Sequence, residues 1–372
     1  MNSWVSNWVK KTHPRAKSDL CTCFFERGQS LAGEQGYIGM ITASSWMFIS
    51  SFEKFRKTLL ATGSICSMIQ QSTHGYAGVT VPTTMFVYAC NRLNITGSYV
   101  RLTDFDRPQW QEPRALEALA NPECGWFYRA AGSQFKSIPG SPVVYWLCEQ
   151  LIDAFAKYPP LASYACPKKG LGTGNKKQFM RYWWEVSNAN TSFDCGSRTE
   201  ALASCKRWFS HNKGGPFRKW YGNNDYVVDW LDDGAGIKSY RNTLGQLGAR
   251  PQNQDYYFKA CITWSKISSG RLAFRFKGAG SIFNEVAPAL FSDEETMMKL
   301  EAFLNSSVCL EIARAISPTL DFQVGQVATY PVAPDVLKTD GTAGLARVNT
   351  EISRIDWNAF EESWNFAKHP LI

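Results

Sequence analysis

The sequence predicts an α/β fold, in which a sheet of alternating helices and strands is followed by a mixed α+β region. The first observation is a helix–glycine–strand unit in residues 19–42. The second is a pair of strand-like runs, residues 64–69 and 84–89, that follow an amphipathic helix. Alternating periodicities favour an α/β sheet, whereas the short strands and Gly and Asn turns of residues 166–345 favour irregular β structure.

Spacing and two glycines define the helix–glycine–strand unit. We expect a helix over residues 19–31, and its predicted apolar face consists of Leu20, Phe24, Phe25 and Leu31. Gly33 and Gly36 then end the helix. Residues 37–42 form a short apolar run, which is typical of a strand buried on both faces of a parallel sheet.

The remaining elements follow in order. Residues 52–61 predict an amphipathic helix whose apolar side consists of Phe52, Phe55, Leu59 and Leu60. Seven prolines interrupt every pattern between residues 96 and 165, so this region is expected to be a connector with short helices at 110–120 and 144–156. Residues 347–366 are again helical by period. The predicted regions are therefore 1–95, 96–165, 166–345 and 346–372.

Composition excludes several classes of protein. No run approaches the roughly 18 apolar residues that a membrane span needs, and the N-terminus lacks the apolar core of a secretory signal. Eleven cysteines, an odd number, are scattered without a Cys-x-x-Cys pair, and only four histidines are present. We therefore expect free thiols, no metal site, no membrane partner and a cytoplasmic location.

Charge is concentrated in the middle of the chain. Residues 161–280 contain 19 Lys and Arg against 8 Asp and Glu, a net charge of +11, whereas the rest of the chain has a net charge of −3. Aromatic residues lie among these basic residues: Trp183, Trp184, Trp208, Trp220, Tyr221, Trp230 and Tyr240. Basic and aromatic residues together suit phosphate contact with base stacking, so a nucleic-acid-binding region is predicted; a solvated basic face is the alternative.

The sharpest local motif is KKGLGTGNKK at residues 168–177. Its alternating glycines allow a sharp turn and a close approach of backbone N–H groups to an anion, and two lysine pairs flank the turn. The spacing matches neither the dinucleotide-binding fingerprint nor the Walker pattern. A loop that holds a DNA phosphate is one interpretation, and a plain Gly-rich turn is the other.

Several segments, taken in order, resemble a known family. They are HPRAKSDLCTCFFERG with GYIGMITASSWMFISSFEKFRKTLL, then GLGTGNKKQF, then TWSKISSGRLAFRFKGAGSIFN with FLNSSVCLEIARAISPTLDFQVGQVATYPV, and finally DWNAFEESWNFAKHPLI. Together they are similar to the C-terminal part of adenine-specific DNA methyltransferases with a fused target-recognition domain, in particular the PglX-like family of BREX phage-defence systems. The resemblance implies a partial Rossmann-like methyltransferase sheet in residues 1–95 and a mixed α+β DNA target-recognition domain in residues 166–345.

The resemblance also implies what this sequence lacks. The family binds S-adenosylmethionine on a Gly-rich loop and holds the flipped adenine with an Asn-Pro-Pro-Tyr turn, and neither motif occurs here; Asn121-Pro122 has no second proline or aromatic residue. We therefore expect a C-terminal portion that binds no cofactor alone and does not methylate alone. The implied partners are double-stranded DNA, other phage-defence subunits and a missing N-terminal methyltransferase half.

Within the resemblance, individual residues acquire expected roles. Tyr76 aligns with the aromatic ring that stacks on a flipped base, with a surface-loop tyrosine as the alternative. His74 lies in the same loop without a neighbouring carboxylate or cysteine, so no catalytic group is expected there. Arg271 and Arg275 are candidates for base or phosphate contacts. The expected DNA contacts of the Gly-rich motif are Lys168, Lys169, Gly172, Thr173, Gly174, Asn175, Lys176 and Lys177.

Two further interpretations remain open at the level of the sequence. The chain is either a segment or subunit of the methyltransferase, or a DNA-specificity module that recruits partners without chemistry. A gene remnant with an unpaired sheet edge is a third interpretation. Cofactor binding separates the first two, because both predict DNA binding by residues 166–345.

Overall fold

The computed structural model describes residues 1–76, 78–268, 271–317 and 321–372. It contains two compact units, Met1–Lys157 and Tyr158–Ile372. No helix within the described ranges is long and apolar enough to cross a membrane.

The first unit alternates helices with strands, as the sequence predicts. Its elements are α1 (Ser3–Thr12), α2 (Leu20–Ala32), β1 (Tyr37–Ala43), α3 (Glu53–Thr62), β2 (Gly63–Gln70), β3 (Thr83–Cys90), β4 (Thr96–Arg101), α4 (Pro108–Ala120), β5 (Phe127–Ala131), α5 (Gly132–Lys136) and α6 (Glu149–Lys157).

The first unit is built on one mixed sheet. The strand order is β1-β3-β2-β4-β5, in which β2 and β4 are parallel and the other neighbours are antiparallel. The α/β class is therefore confirmed, but β1 pairs antiparallel with β3, so the expectation that β1 pairs within a parallel sheet is wrong. The Rossmann-like arrangement stays a prediction.

The two faces of this sheet differ. One face packs on an aromatic core, where Phe25 meets Phe55 and Tyr88 edge-on, at ring-centroid distances of 5.3 and 4.9 Å. The other face leaves Ile41 and Val87 exposed. The expectation that β1 is buried on both faces is therefore wrong, because alternate residues of β1 point away from the core.

The position of α2 is predicted correctly, but its buried face is not. Phe25 is buried, whereas Phe24 and Leu31 are exposed. Thr22 and Cys23 take the inner side instead. Thr22 can do so because its hydroxyl donates to the carbonyl of Ala16 at 2.6 Å, which satisfies the polar group inside the unit.

Residues beyond 95 complete the first sheet. Strands β4 and β5 extend it, so the sheet continues across the predicted boundary at residue 95. Helix α6 begins at Glu149, five residues later than the sequence predicts. The proline-rich region is more than a connector, because two of its short segments, β4 and β5, pair as strands.

The second unit combines short strands with helices. Its elements are β6 (Cys166–Lys168), β7 (Leu171–Gly172), α7 (Lys176–Phe179), β8 (Met180–Tyr182), β9 (Thr191–Ser192), α8 (Arg198–Ala203), β10 (Trp208–Asn212), β11 (Tyr226–Asp229), α9 (Leu231–Ser239), β12 (Arg250–Pro251), β13 (Cys261–Trp264), β14 (Phe274–Lys277), β15 (Ile282–Phe283), β16 (Ala289–Phe291), α10 (Glu294–Leu304), α11 (Ser307–Ile316), α12 (Val324–Val327), α13 (Pro334–Lys338) and α14 (Thr342–Asn358).

Three small sheets organise the second unit. One has the order β15-β10-β11-β8, with β9 also paired to β10; the others are β14-β13-β16-β6 and β12-β7. The buried core of this unit includes Phe209 of β10 together with Trp230 and Phe258 from the segments between strands. Residues 166–345 also contain two successive helices, α10 and α11, so the predicted irregular β structure describes only part of this region.

Candidate nucleic-acid interface

The Gly-rich motif forms a turn that is fixed by packing. Gly172 lies in β7, which pairs with β12, and a β-carbon there would lie 3.0 Å from the carboxyl carbon of Glu285. Gly174 has a φ of +72°, and a β-carbon there would lie 2.5 Å from the carbonyl oxygen of Gly248. Thr173 between them is buried. Close packing against backbone and a positive φ therefore account for Gly174, whereas at Gly172 the neighbour is the flexible end of the Glu285 side chain.

Asn175 ends the turn and begins α7. Its side-chain oxygen accepts a hydrogen bond from the backbone N–H of Gln178 at 3.2 Å, as an N-cap residue does. Its amide nitrogen also donates to the hydroxyl of Tyr240 at 3.4 Å. Lys176 and Lys177 follow on the exposed side of this turn.

The two lysine pairs of the motif have different surroundings. The ammonium of Lys168 lies 5.3 Å from the ring centre of Tyr256, and that of Lys169 lies 4.0 Å from a carboxylate oxygen of Glu285. The side chains of Lys176 and Lys177 are exposed and have no ion-pair or hydrogen-bond partner within the described residues. The second pair is therefore free to contact an anion.

The two candidate arginines also differ. Arg271 is exposed. Arg275 is only 1% exposed, and its guanidinium donates to the carbonyl of Arg218 at 3.1 Å and to the hydroxyl of Ser265 at 3.2 Å. The structure thus places Arg275 inside the second unit, away from any ligand at the surface, because its donors serve the chain itself.

Part of the basic region is internal. Burial lowers the pKa of Lys277 to about 7, an effect that nearby Arg275 strengthens, and burial also raises the pKa of Asp225. Arg275 and Lys277 are both buried. The excess of positive charge in the sequence is consequently larger than the excess at the surface.

The aromatic residues of this region are also divided between the interior and the surface. Trp230 is buried in the core, whereas Trp184 is 50% exposed. The ring of Trp184 stacks on Tyr182 at 4.6 Å, and Tyr182 stacks on Tyr226 at 4.6 Å. The ammonium of Lys213 lies 3.9 Å from the centre of the Tyr226 ring. This aromatic stack follows α7 directly, through β8 and the residues after it.

Two rings of the aromatic stack, Tyr182 and Tyr226, and the adjoining Lys213 are absent from the sequence-based predictions. Tyr182 precedes the Trp pair, so a count of neighbouring aromatic residues could have found it. Tyr226 joins it through the antiparallel pairing of β8 with β11, in which Tyr226 lies opposite Tyr182, and Lys213 follows β10, which pairs with the other edge of β11. Cross-strand pairs of this kind form a surface that linear spacing does not show.

Tyr76 lies in the loop between β2 and β3, with its ring exposed. Its hydroxyl lies 3.8 Å from the sulfur of Met85. His74 in the same loop contacts Asp106 at 2.9 Å, and this hydrogen bond lowers the pKa of the Asp106 carboxyl. The expectation that His74 has no carboxylate partner is therefore wrong, because folding brings together residues 32 positions apart.

Two features of the described residues bear on metal and cofactor binding. No group of three His, Cys, Asp or Glu side chains among them could hold a metal ion. The exposed face of the first sheet has a hollow of about 460 Å³, lined by residues such as Ile41, Met85 and Phe127 and by no charged side chain. Because the cofactor carries an ammonium, a carboxylate and a sulfonium, this apolar hollow does not fit it.

Comparison with known proteins relates the chain to methyltransferases. A family model described as Eco57I restriction-modification methylase matches residues 2–75. The adenine-specific methyltransferase PglX of Lacticaseibacillus casei (strain Zhang) is 36% identical over 384 aligned residues, and BrxX of Escherichia coli O9:H4 (strain HS), also an adenine-specific methyltransferase, is 33% identical over 380. These alignments cover 100% of this chain but 31% and 29% of the two relatives, so the chain spans about a third of their length.

Solved structures show a shared fold at low sequence identity. The type IIL restriction-modification enzyme MmeI, solved in complex with DNA, matches with a TM-score of 0.56 and 10% identity, over 98% of this chain and 49% of MmeI. DrdV, also in a DNA complex, matches with a TM-score of 0.50 and 12% identity, over 95% of this chain and 42% of DrdV. The resemblance predicted from the sequence is confirmed: this chain is similar along its whole length to the PglX-like adenine-specific DNA methyltransferases, of which it spans about a third.

Proposed function

We propose that this chain is the DNA-binding portion of a site-specific adenine-N6 DNA methyltransferase of a phage-defence system. The observation that carries the proposal is the exposed pair Lys176 and Lys177, held on a turn whose shape is set by packing. Fixed, unpaired ammonium groups suit contact with phosphates, which supply most of the affinity of DNA-binding proteins. The whole-length similarity to adenine-specific methyltransferases supports the reaction class.

The aromatic stack supports the same proposal. Trp184, Tyr182 and Tyr226 expose aromatic surface beside the basic turn, and Lys213 adds a positive charge at the far end of the stack. Aromatic rings next to ammonium groups suit a nucleic-acid strand, because the rings contact sugars and bases while the charges hold phosphates. Double-stranded DNA is the proposed partner.

We assign methyl transfer to elements outside residues 1–372. An adenine-N6 methyltransferase flips its target base and places the exocyclic amine against the methyl donor. In this chain Tyr76 is the proposed stacking surface for the flipped base, whereas the Gly-rich cofactor loop and the Asn-Pro-Pro-Tyr turn do not occur in the sequence. The proposed partners in the reaction are an N-terminal methyltransferase half and other phage-defence subunits.

Two measurements on the purified chain test this division. A gel-shift titration with a 40-bp duplex of mixed sequence is expected to show a complex whose affinity falls as salt concentration rises. Isothermal titration with S-adenosylmethionine is expected to show no heat of binding. Absence of DNA binding would contradict the proposed function, and cofactor binding by this chain alone would contradict the assignment of the methyl-donor site.

A further inference from the structure

An exposed apolar tip projects from the second unit beside the Gly-rich turn. Residues 240–248 form a hairpin, here named the 240–248 hairpin, in which the backbone N–H of Gly248 donates to the carbonyl of Tyr240 at 3.0 Å. Leu244 at its tip is 78% exposed, and Leu247, which pairs with Arg241 across the hairpin, is 63% exposed. Most of the surface of both residues is exposed in the fold, so their apolar character suits a contact with a partner.

The tip is held in one conformation by hydrogen bonds. The side-chain oxygen of Asn242 accepts from the backbone N–H groups of Leu244 at 2.9 Å and Gln246 at 3.1 Å. The guanidinium of Arg241 donates to the carbonyl of Gly245 at 2.8 Å, and Gly245 adopts a φ of +73°. A preorganised tip loses little conformational entropy when it enters a partner.

The hairpin and the basic turn form one packed structure. Tyr240 accepts a hydrogen bond from Asn175 and meets the ring of Phe179 edge-on, with ring centroids 5.5 Å apart. Gly248 lies against Gly174 so closely that no side chain fits between their backbones. The apolar tip is therefore carried on the same body as Lys176 and Lys177, which begin α7 immediately after Asn175.

Charge around the tip favours an anionic partner. Arg241 and Arg250 are exposed at the base of the hairpin, and residues 240–250 contain no acidic side chain. A partner must therefore combine negative charge with an apolar interior that admits a side chain. Duplex DNA has this chemistry, because phosphates flank a stack of bases, and proteins that bend DNA insert leucine and similar side chains between base steps.

We propose that the 240–248 hairpin is a DNA-distorting wedge, in which Leu244 enters the base stack while Arg241, Arg250 and the Lys176–Lys177 pair hold the flanking phosphates. The inference rests on the proposed DNA binding and adds a mode of contact to it. Insertion unstacks neighbouring bases, so the bound duplex contains reactive, unstacked thymines. Leu247 lies at the side of the wedge and covers the apolar contact.

The test measures unstacking separately from binding. A pool of 40-bp duplexes with a random centre is saturated with the full chain, and permanganate reactivity of thymines is read along with the gel shift. The wild-type chain is expected to raise thymine reactivity above that of free DNA. Leu244→Ala is expected to bring reactivity back to the level of free DNA and to weaken binding roughly tenfold, as the loss of one buried leucine contact would.

Two control variants make the outcomes distinct. Leu345→Ala removes another exposed leucine, 67% exposed, from α14 and is expected to leave both signals at wild-type levels. Lys176→Gln with Lys177→Gln is expected to weaken binding but to keep the reactivity at saturation. No gel shift for the wild type would overturn the proposed function itself, whereas a shift with reactivity that Leu244→Ala leaves unchanged, or no raised reactivity at all, would overturn only the wedge.

An anionic membrane surface is the competing partner for a basic, apolar tip. The same variants are therefore sedimented with vesicles of phosphatidylserine and phosphatidylcholine. The wedge proposal expects no difference between the wild type and Leu244→Ala in this assay. Vesicle binding that Leu244→Ala abolishes would assign the hairpin to a lipid surface and contradict its role in DNA.

Discussion

At the scale of single residues, Glu301 shows how the second unit joins its last long helix to a sheet. This carboxyl is fully buried on α10 and accepts from the backbone N–H of Phe276 at 2.9 Å and from the hydroxyl of Thr350 at 3.2 Å. Phe276 belongs to β14 and Thr350 to α14. Burial raises the pKa of Glu301 to about 8, so the folded protein keeps a proton there at neutral pH.

Glu301 therefore predicts a pH dependence of stability. Between pH 4.5 and about 8 the unfolded chain has lost this proton and the folded chain retains it, so stability falls as pH rises through that window. Relative to Glu301→Gln, the wild type is expected to lose up to about 1.4 kcal/mol of unfolding free energy per pH unit. Urea unfolding at several pH values measures this difference. The same dependence of unfolding free energy on pH in both proteins would contradict this prediction. Glu34→Gln, which changes an exposed carboxylate, is the control.

Arg56 is the corresponding residue of the first unit. Its buried guanidinium donates to the carbonyls of Trp46, Ile49, Gly140 and Ser141 at distances of 2.8 to 3.1 Å. No described carboxylate lies within ion-pair distance of it. Burial lowers its pKa only to about 10, so it remains charged at neutral pH. The side chain ties α3 to the segment just before it and to the loop at Gly140 and Ser141, which is distant in sequence.

Replacement of Arg56 is expected to destabilise the first unit strongly. Arg56→Met keeps much of the side-chain volume but leaves four carbonyl oxygens without this donor, at a cost of about 3 kcal/mol or more in unfolding free energy. Arg27→Met, at an exposed position, is expected to cost less than about 0.5 kcal/mol. Urea unfolding compares them, and similar midpoints for the two variants would refute the structural role of Arg56.

Among the elements of the second unit, replacement by alanine is expected to change the unfolding free energy in opposite directions at Gly174 in the Gly-rich turn and at Gly344 in α14. Gly174→Ala introduces a β-carbon 2.5 Å from the Gly248 carbonyl oxygen at a φ of +72°, so a loss of about 2 kcal/mol or more in unfolding free energy is expected. Gly344→Ala, in α14 with open space around it, is expected to stabilise the protein by about 0.5–1 kcal/mol. Thermal unfolding of both variants tests this, and equal shifts would show that packing does not fix the turn.

Element positions could be predicted wherever one periodicity dominates. Helix α3 and its buried Phe55 and Leu59 follow from spacing alone, and β1 follows from a short apolar run. The face of α2 could not be predicted, because Thr22 lies on the buried side, where its hydroxyl donates to a carbonyl inside the unit, while Phe24 and Leu31 are exposed. Helices α10 and α11 were not predicted, because the short strands of residues 166–345 favoured irregular β structure for the whole region.

At the scale of the whole molecule, the sequence indicated the chemistry of the candidate site but not its geometry. The exposed Lys176–Lys177 pair follows from a visible motif. The burial of Arg275 and the stacking of Tyr226 on Tyr182 depend on strand pairing between distant segments, which composition and spacing do not determine. For the same reason the +11 charge of the middle segment could not be divided into internal and surface parts before the fold was known.

The central claim is that the free lysines of the second unit contact DNA phosphates. Its most direct test is the affinity for a 40-bp duplex, measured by fluorescence anisotropy at several salt concentrations for the wild type and for two double variants. Lys176→Gln with Lys177→Gln is expected to reduce the slope of log affinity against log salt by up to about 1.8, roughly 0.9 for each lost phosphate contact. Lys168→Gln with Lys169→Gln, whose ammonium groups already contact Tyr256 and Glu285, is expected to reduce it by less than half as much. An unchanged slope in the first variant would contradict the account.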